Sequence, residues 1–511
     1  MSRPNTAASL LACLILAVAT LRAITFWAAD PMLAYGNNFD QIRTLKVFGL
    51  HPKDSPNALY EMTPDRPYRF FIQSDTPHAP IYPSADLLIK FIQVGTMAAF
   101  RSGDGLMDIK IATAPVLVGW LACIWQIFRR LLARPLAAVA FAIWVLLVTD
   151  PINLLFLNTW YAEFSAFAVA TLFVGIAWLW LFQLTSLRWS LVWGGVCLAV
   201  LSLNRNQYMF LLPAVAGLVG AVLILSRPYP YQSPSATTSV KWILIGVACL
   251  LPMVIYHTAA QKNAEVSLWA ATNRVNTVFG ALVPASKDPA KMLKRMGLPP
   301  EGCMRFSEKT LFLTPQDEFN AYCPKSLTLP LHQIATAVLL EPAVLVAIVK
   351  TIAVHHSGFL QHHIGHVESA NNGYIDHADQ SNFDGAAFRT SRERTPLLTS
   401  QPYYGQSIDP LFRRISANSV MLLIWFVALG PALAALAAWA MKQRRWAFMF
   451  LLSGLLFNYA LFSSILGDGY FELERHAILC FSFGALFFVL VGSWAAHALS
   501  ARRSFIKGTP D

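Results

Sequence analysis

Apolar runs of about 20 residues, long enough to cross ~30 Å of hydrocarbon, recur along the chain at 7–29, 109–128, 135–150, 163–184, 189–203, 207–226, 240–258, 416–440, 446–465 and 477–498. They predict ten transmembrane helices. A further apolar stretch, Ala85 to Phe100, carries Lys90 and would invert every later loop if it spanned; it reads as an amphipathic helix lying on the membrane surface. Segment 332–352 is interrupted by Glu341-Pro342, which predicts a broken interfacial or re-entrant helix instead of a clean span. Between the runs lie two long polar stretches, 30–108 and 259–415, too long for simple connections and therefore expected to fold. The expected class is an all-α polytopic membrane protein in three parts. These are an N-terminal membrane module 1–258 with a first outer loop 30–108, a large extracytoplasmic loop or subdomain 259–415, and C-terminal membrane helices 416–511.

Composition excludes the soluble alternative. Of 511 residues, 56% are apolar and 13% charged, against roughly 25% charged in soluble domains. The formal charge of +11 would suggest nucleic acid if it were spread over the chain. It is not. With the N-terminus inside, the short inner segments hold Arg3, Arg129, Arg130, Arg134, Arg188, Arg227, Lys241, Lys442, Arg444, Arg445, Arg502, Arg503 and Lys507, 13 basic residues against the single acid Asp511. The rest of the chain keeps 26 basic and 27 acidic residues, so the excess is the positive-inside signal of a protein with both termini cytoplasmic. Nucleic acid binding loses its support. Five cysteines (Cys13, Cys123, Cys197, Cys249, Cys480) fall inside spans, while Cys303 and Cys323 share the second long loop. In an oxidising compartment that pair can bridge; two thiols in a packed subdomain are the other reading.

The polar clusters unusual for a membrane protein all fall at the outer ends of the spans. YGNNFDQIR places Asp40 just after the first span, where an ordinary Asn/Asp turn is the plain alternative. LNTWYAEFSAF places Trp160, Tyr161 and Glu163 at the start of the fourth; an aromatic belt accounts for the rings, and Glu163 is either a helix-start acid or a substrate or ion ligand. LNRNQY, with Asn204, Arg205 and Asn206, follows a span too short for the bilayer, so the turn is recessed and its arginine suits a phosphate or carboxylate, unless it snorkels to head groups. GDGYFELERH opens the last span with Asp468, Glu472, Arg475 and His476, the last three on one helical face if the segment is helical from Tyr470. A histidine-rich stretch, His355 to His377, matches no zinc spacing, and no metal ligands are assigned.

Taken together, a cytoplasmic N-terminus, a long first outer loop with an acid soon after span one, a surface helix in that loop and a large later loop resemble the GT-C superfamily of polytopic membrane glycosyltransferases. WYAEF, LNRNQY and DGYFELERH also look like motifs of bacterial membrane proteins grouped with those enzymes. The chain departs from the commonest pattern in carrying only Asp40, in NNFDQ, and not an acidic pair after the first span. The resemblance implies transfer of a hexose or pentose from a polyprenyl-phosphate donor to a glycan, lipid or protein acceptor at the outer face of a bacterial inner membrane. In that chemistry a carboxylate takes the acceptor proton and cations stabilise the departing lipid phosphate. It casts Asp40 as base, with Glu163 and Glu472 as competitors or orienters, and Arg205, Arg475 and His476 as phosphate ligands. Tyr161, Asn204, Asn206, Asp468 and Glu472 become substrate contacts. No cofactor is called for, a divalent metal being the one open addition. Competing readings are a lipid-linked-glycan transporter or flippase, a polysaccharide polymerase or ligase, and a purely structural membrane protein; charges confined to one face argue against the transporter.

Overall fold

The computed structural model describes residues 6–29, 32, 34, 41–53, 68–73, 84–154, 156–225, 250–259, 262, 264–309, 311, 314, 316–350, 417–468 and 478–506. It is mostly helical. The chain runs through α1 (Thr6–Ala28), α2 (Gln41–Val47), α3 (Asp86–Ala99), α4 (Ile109–Leu131), α5 (Pro135–Val148), α6 (Pro151–Leu154), α7 (Glu163–Leu181), α8 (Leu187–Asn204) and α9 (Leu211–Leu225). After α10 (Leu250–Ala259) come α11 (Ala264–Val275), a π-helical stretch Asn276–Leu282, α12 (Val283–Ala285), α13 (Pro289–Arg295), α14 (Pro300–Cys303), α15 (Gln316–Tyr322) and α16 (Leu331–Leu340). The last elements are α17 (Ala343–Lys350), α18 (Ala417–Ala440), α19 (Arg444–Asp468) and α20 (Ile478–Ile506).

Seven of these helices, α1, α4, α7, α8, α18, α19 and α20, are long and apolar enough to cross a membrane. The three remaining expected spans appear as shorter apolar helices, Pro135–Val148, Leu211–Val222 and Leu250–Ala259. Segment 332–352 breaks where Glu341-Pro342 interrupts it: α16 and α17 meet at 94°. Glu341 closes the break, its Oε2 accepting from Arg295 at 2.8 Å and its Oε1 from the Ser286 hydroxyl at 2.9 Å and the Lys287 amide at 3.0 Å.

The bundle has two chemically different ends. At one, the turns between α7 and α8 and between α18 and α19 are Schellman caps built on non-glycine residues in the left-handed region, Gln183 (φ 63°) and Lys442 (φ 59°). The defining bonds are Leu184 N–H to Leu179 O at 2.9 Å and Gln443 N–H to Ala438 O at 2.8 Å. Arg445 spans these turns, donating to Trp180 O at 3.3 Å and lying over the Trp180 ring, a cation at the negative end of α7.

At the other end the long loops fold. Asp108 caps α4 by accepting from the Lys110 amide at 2.9 Å and pairs with Arg69 at 3.1 Å. Three short antiparallel strands, β1 (Leu50–Pro52), β2 (Phe70–Gln73) and β3 (Met107–Asp108), pair in the order β1-β2-β3, a sheet the all-helical expectation did not include. Phe71, Met97, Met107 and Trp160 form a small core beneath it. The second loop closes on Phe279, Phe306 and Phe319 and on a disulfide between Cys303 and Cys323, Cα–Cα 5.1 Å.

Gly302 stands where that loop is tightest: a Cβ there would lie 2.2 Å from the Tyr322 carbonyl oxygen, backbone against backbone. Gly302→Ala is therefore expected to push α14 and α15 apart and destabilise the loop by about 2–4 kcal/mol. A lowered thermal midpoint and faster protease cleavage within 283–330 measure this.

Candidate functional site

Four segments bring their polar residues together where α3 crosses the ends of α7 and α8. α3 is an amphipathic helix mounted in the unusual sense. Its stripe Asp86, Lys90, Gln93 and Met97 is buried, while Leu88, Phe91 and Ile92 are 67%, 55% and 57% exposed. The spacing i, i+4, i+7, i+11 puts the stripe on one face; α3 packs on α4 and, through this stripe, docks on α7 and α8.

Hydrogen bonds fix the docking. Ser84 Oγ donates to Asn204 O at 2.6 Å and the Ala85 amide to Leu203 O at 2.8 Å, so the last carbonyls of α8 are satisfied by the residues that start α3. Ser165 Oγ donates to Asp86 Oδ1 at 2.6 Å and accepts from Asn204 Nδ2 at 2.7 Å. Lys90 Nζ donates to Tyr161 O at 3.2 Å, stands 3.7 Å from Asp86 Oδ2 and lies 5.7 Å from the centroid of the Trp160 ring. Burial opposes both charges of this pair, pushing the Asp86 carboxyl up and the Lys90 ammonium down from their ordinary values, while their mutual attraction works the other way. Beside Lys90 is a cavity of about 10 Å³ lined by Gln93, Thr159, Tyr161 and Ser165, room for one water. Gln93 Oε1 is buried there without a protein partner.

One step along α8, Arg205 ends the helix in an extended conformation (φ −145°, ψ 151°) and turns its guanidinium onto Glu163, the first residue of α7. The Glu163 side chain is 1% exposed; that of Arg205 is 20% exposed. The buried carboxylate holds the guanidinium, whose side chain remains partly exposed. Two neighbouring elements complete the rim. Tyr459 of α19 donates its hydroxyl to Gln207 O at 2.7 Å, and Tyr256 of α10 donates to Leu203 O at 2.7 Å.

The structure brings Glu163, Arg205, Asn204 and Tyr161 together. Tyr161 takes part through its backbone carbonyl, its ring packing edge-on against Phe156. Asn206 and Asp468 are placed by backbone, Asn206 in the turn after Arg205 and Asp468 as the last residue of α19. A Cβ on the preceding Gly467 would stand 3.8 Å from Gln207 Cβ, so the chain enters GDGYFELERH beside the LNRNQY turn. Asp40, Glu472, Arg475 and His476 lie outside the described residues, as does the histidine-rich stretch. Among the described residues no group of three or more His, Cys, Asp or Glu is placed to hold a metal ion. The sequence reading missed Asp86, Lys90 and Ser165. The signal was present in the polar stripe of an otherwise apolar helix, but it reads equally as a solvated face.

A partly exposed guanidinium oriented by a buried carboxylate has the charge and geometry that suit an anion. Comparison with family models, curated proteins and solved structures finds no match to this chain.

Proposed function

We propose that this protein is a membrane glycosyltransferase of GT-C type that moves a sugar from a polyprenyl-phosphate donor to a glycan, lipid or protein acceptor. The observation that supports the reading is Arg205: a guanidinium at the end of the apolar helix α8, held by Glu163, with its side chain 20% exposed. A lipid phosphate has the charge to meet it. Arg475 and His476, which follow the end of α19 in the sequence, are the further cations this reading assigns to the donor phosphate.

In this reading Glu163 orients Arg205 and is withdrawn from proton transfer, since a base must reach the acceptor hydroxyl. Asp40 is the base, with Glu472 as its substitute. The site end faces outward and the end carrying Arg445 faces the cytoplasm of a bacterial inner membrane, as the basic inner segments require. The exposed apolar face of α3 then rests in lipid while its polar face holds Arg205's helix.

The test is transfer itself. Purified protein in detergent, incubated with radiolabelled polyprenyl-phosphate sugars and an acceptor-containing envelope extract, should move label into an acceptor fraction. Asp40→Asn should reduce that transfer by about 10³-fold or more while donor still binds. Failure of every donor to bind or react overturns the function; full transfer by Asp40→Asn overturns only the base, and Glu472→Gln is then the variant to measure.

A further inference from the structure

The break between α16 and α17 distributes its side chains against the rule for a watered loop. A tip in water turns its acid outward and its leucines in. Here Leu339 is 78%, Leu340 60% and Val346 51% exposed, and Pro342 and Ala343 are exposed with them. Glu341, in the middle of this group, is turned back with its side chain 14% exposed, and both its oxygens are occupied by Arg295, Ser286 and Lys287. The outer surface of the bend is apolar, and the one charge that could have solvated it is neutralised behind it.

We infer that this apex is seated in the lipid of the leaflet bordering the site end, as a wedge that fixes the disulfide-closed loop at the membrane surface. Three observations favour lipid as the occupant. The two arms together have the hydropathy and low charge of a membrane segment, yet their 94° bend leaves neither arm long enough to cross. The loop they belong to is tied to the ends of the spans, Thr277 Oγ1 donating to Leu466 O of α19 at 3.0 Å. The same inverted arrangement, polar face docked and apolar face out, occurs on α3. Burying five apolar side chains without an uncompensated charge favours a lipid interface.

The test uses Leu340→Cys and, as a reference on the same loop, the exposed Lys291→Cys. Both are made with Cys13, Cys123, Cys197, Cys249 and Cys480 changed to alanine, labelled with an NBD fluorophore and reconstituted in vesicles of phosphatidylethanolamine and phosphatidylglycerol. The unaltered chain labelled in parallel provides the blank if the multiple replacement fails to fold, since both probes can then be placed in the native background. Nitroxide-bearing lipid should quench the probe at 340 by roughly half and blue-shift its emission, whereas iodide on both sides of the bilayer should quench only the probe at 291. Iodide quenching at 340 equal to that at 291 places the apex in water and overturns the inference. Insensitivity to both quenchers overturns it too, since the cover would then be protein, from elsewhere in this chain or from a second copy.

Discussion

Arg205→Ala is expected to lower affinity for the polyprenyl-phosphate donor by about 10- to 100-fold, the loss of one or two charge-assisted hydrogen bonds worth roughly 1.5–3 kcal/mol. It should also destabilise the protein, because Glu163 would remain as a charge with a 1% exposed side chain and no guanidinium against it. Breaking such a pair from one side costs about 3–5 kcal/mol when both partners are buried; with Arg205 20% exposed, the lower end applies. The two losses separate experimentally. Glu163→Gln combined with Arg205→Met removes both charges, and its thermal midpoint in detergent should recover most of the stability lost in Arg205→Ala while donor binding stays weak. Recovery of binding along with stability would mean that Arg205 serves the fold alone. Arg205→Lys should fall between, keeping the charge but losing the fork that meets carboxylate and phosphate together.

How far this site was legible depends on what each signal measures. Of the ten runs that apolar length gave, seven are helices long enough to cross, because a run of 20 apolar residues has few alternatives. For 135–150 and 207–226, proline at 135 and the turn after Arg205 set where the regular helix starts. A recessed Arg205 was expected from a run too short for the bilayer, but α8 has 18 residues and is among the helices long enough to cross. The partner of Arg205 was not legible at all. That Glu163 meets Arg205, 42 positions away, is decided by how α7 packs on α8, and both helices are apolar around nearly their whole circumference, which gives no rotational preference. Lys90 shows the same limit from the other side. Its charge correctly argued against a span, and the usual inference is that such a lysine faces water. In a membrane protein the apolar face has a second solvent, so the polar face is released to dock on protein, and Asp86 and Ser165 become visible as part of the site only once α3 is in place.

That docking supplies the second large effect. Lys90→Met should lower the stability of the site end by about 3 kcal/mol near neutral pH, because Asp86, 4% exposed, would lose the cation 3.7 Å away. The carboxyl has an escape. Burial already raises Asp86, and Lys90 is the leading influence that lowers it, so in the variant its value rises further and it takes up a proton. The sign follows: a carboxyl whose folded value lies above its unfolded value of about 3.9 stabilises most below that unfolded value, and the contribution is lost as pH rises through the folded one. Lys90→Met should therefore approach the unaltered protein in thermal midpoint as pH is lowered and fall away from it as pH rises, with protease cleavage in the first long loop following the same trend. Asp86→Asn with Lys90→Met should flatten that dependence and recover part of the loss, the double-mutant comparison isolating the pair from the Ser165 hydrogen bond. A Lys90→Met protein as stable as the original at every pH would show that α3 is held by its packing on α4 and its bonds to Leu203 and Asn204 without the buried pair, and the pair would then have no part in positioning Arg205.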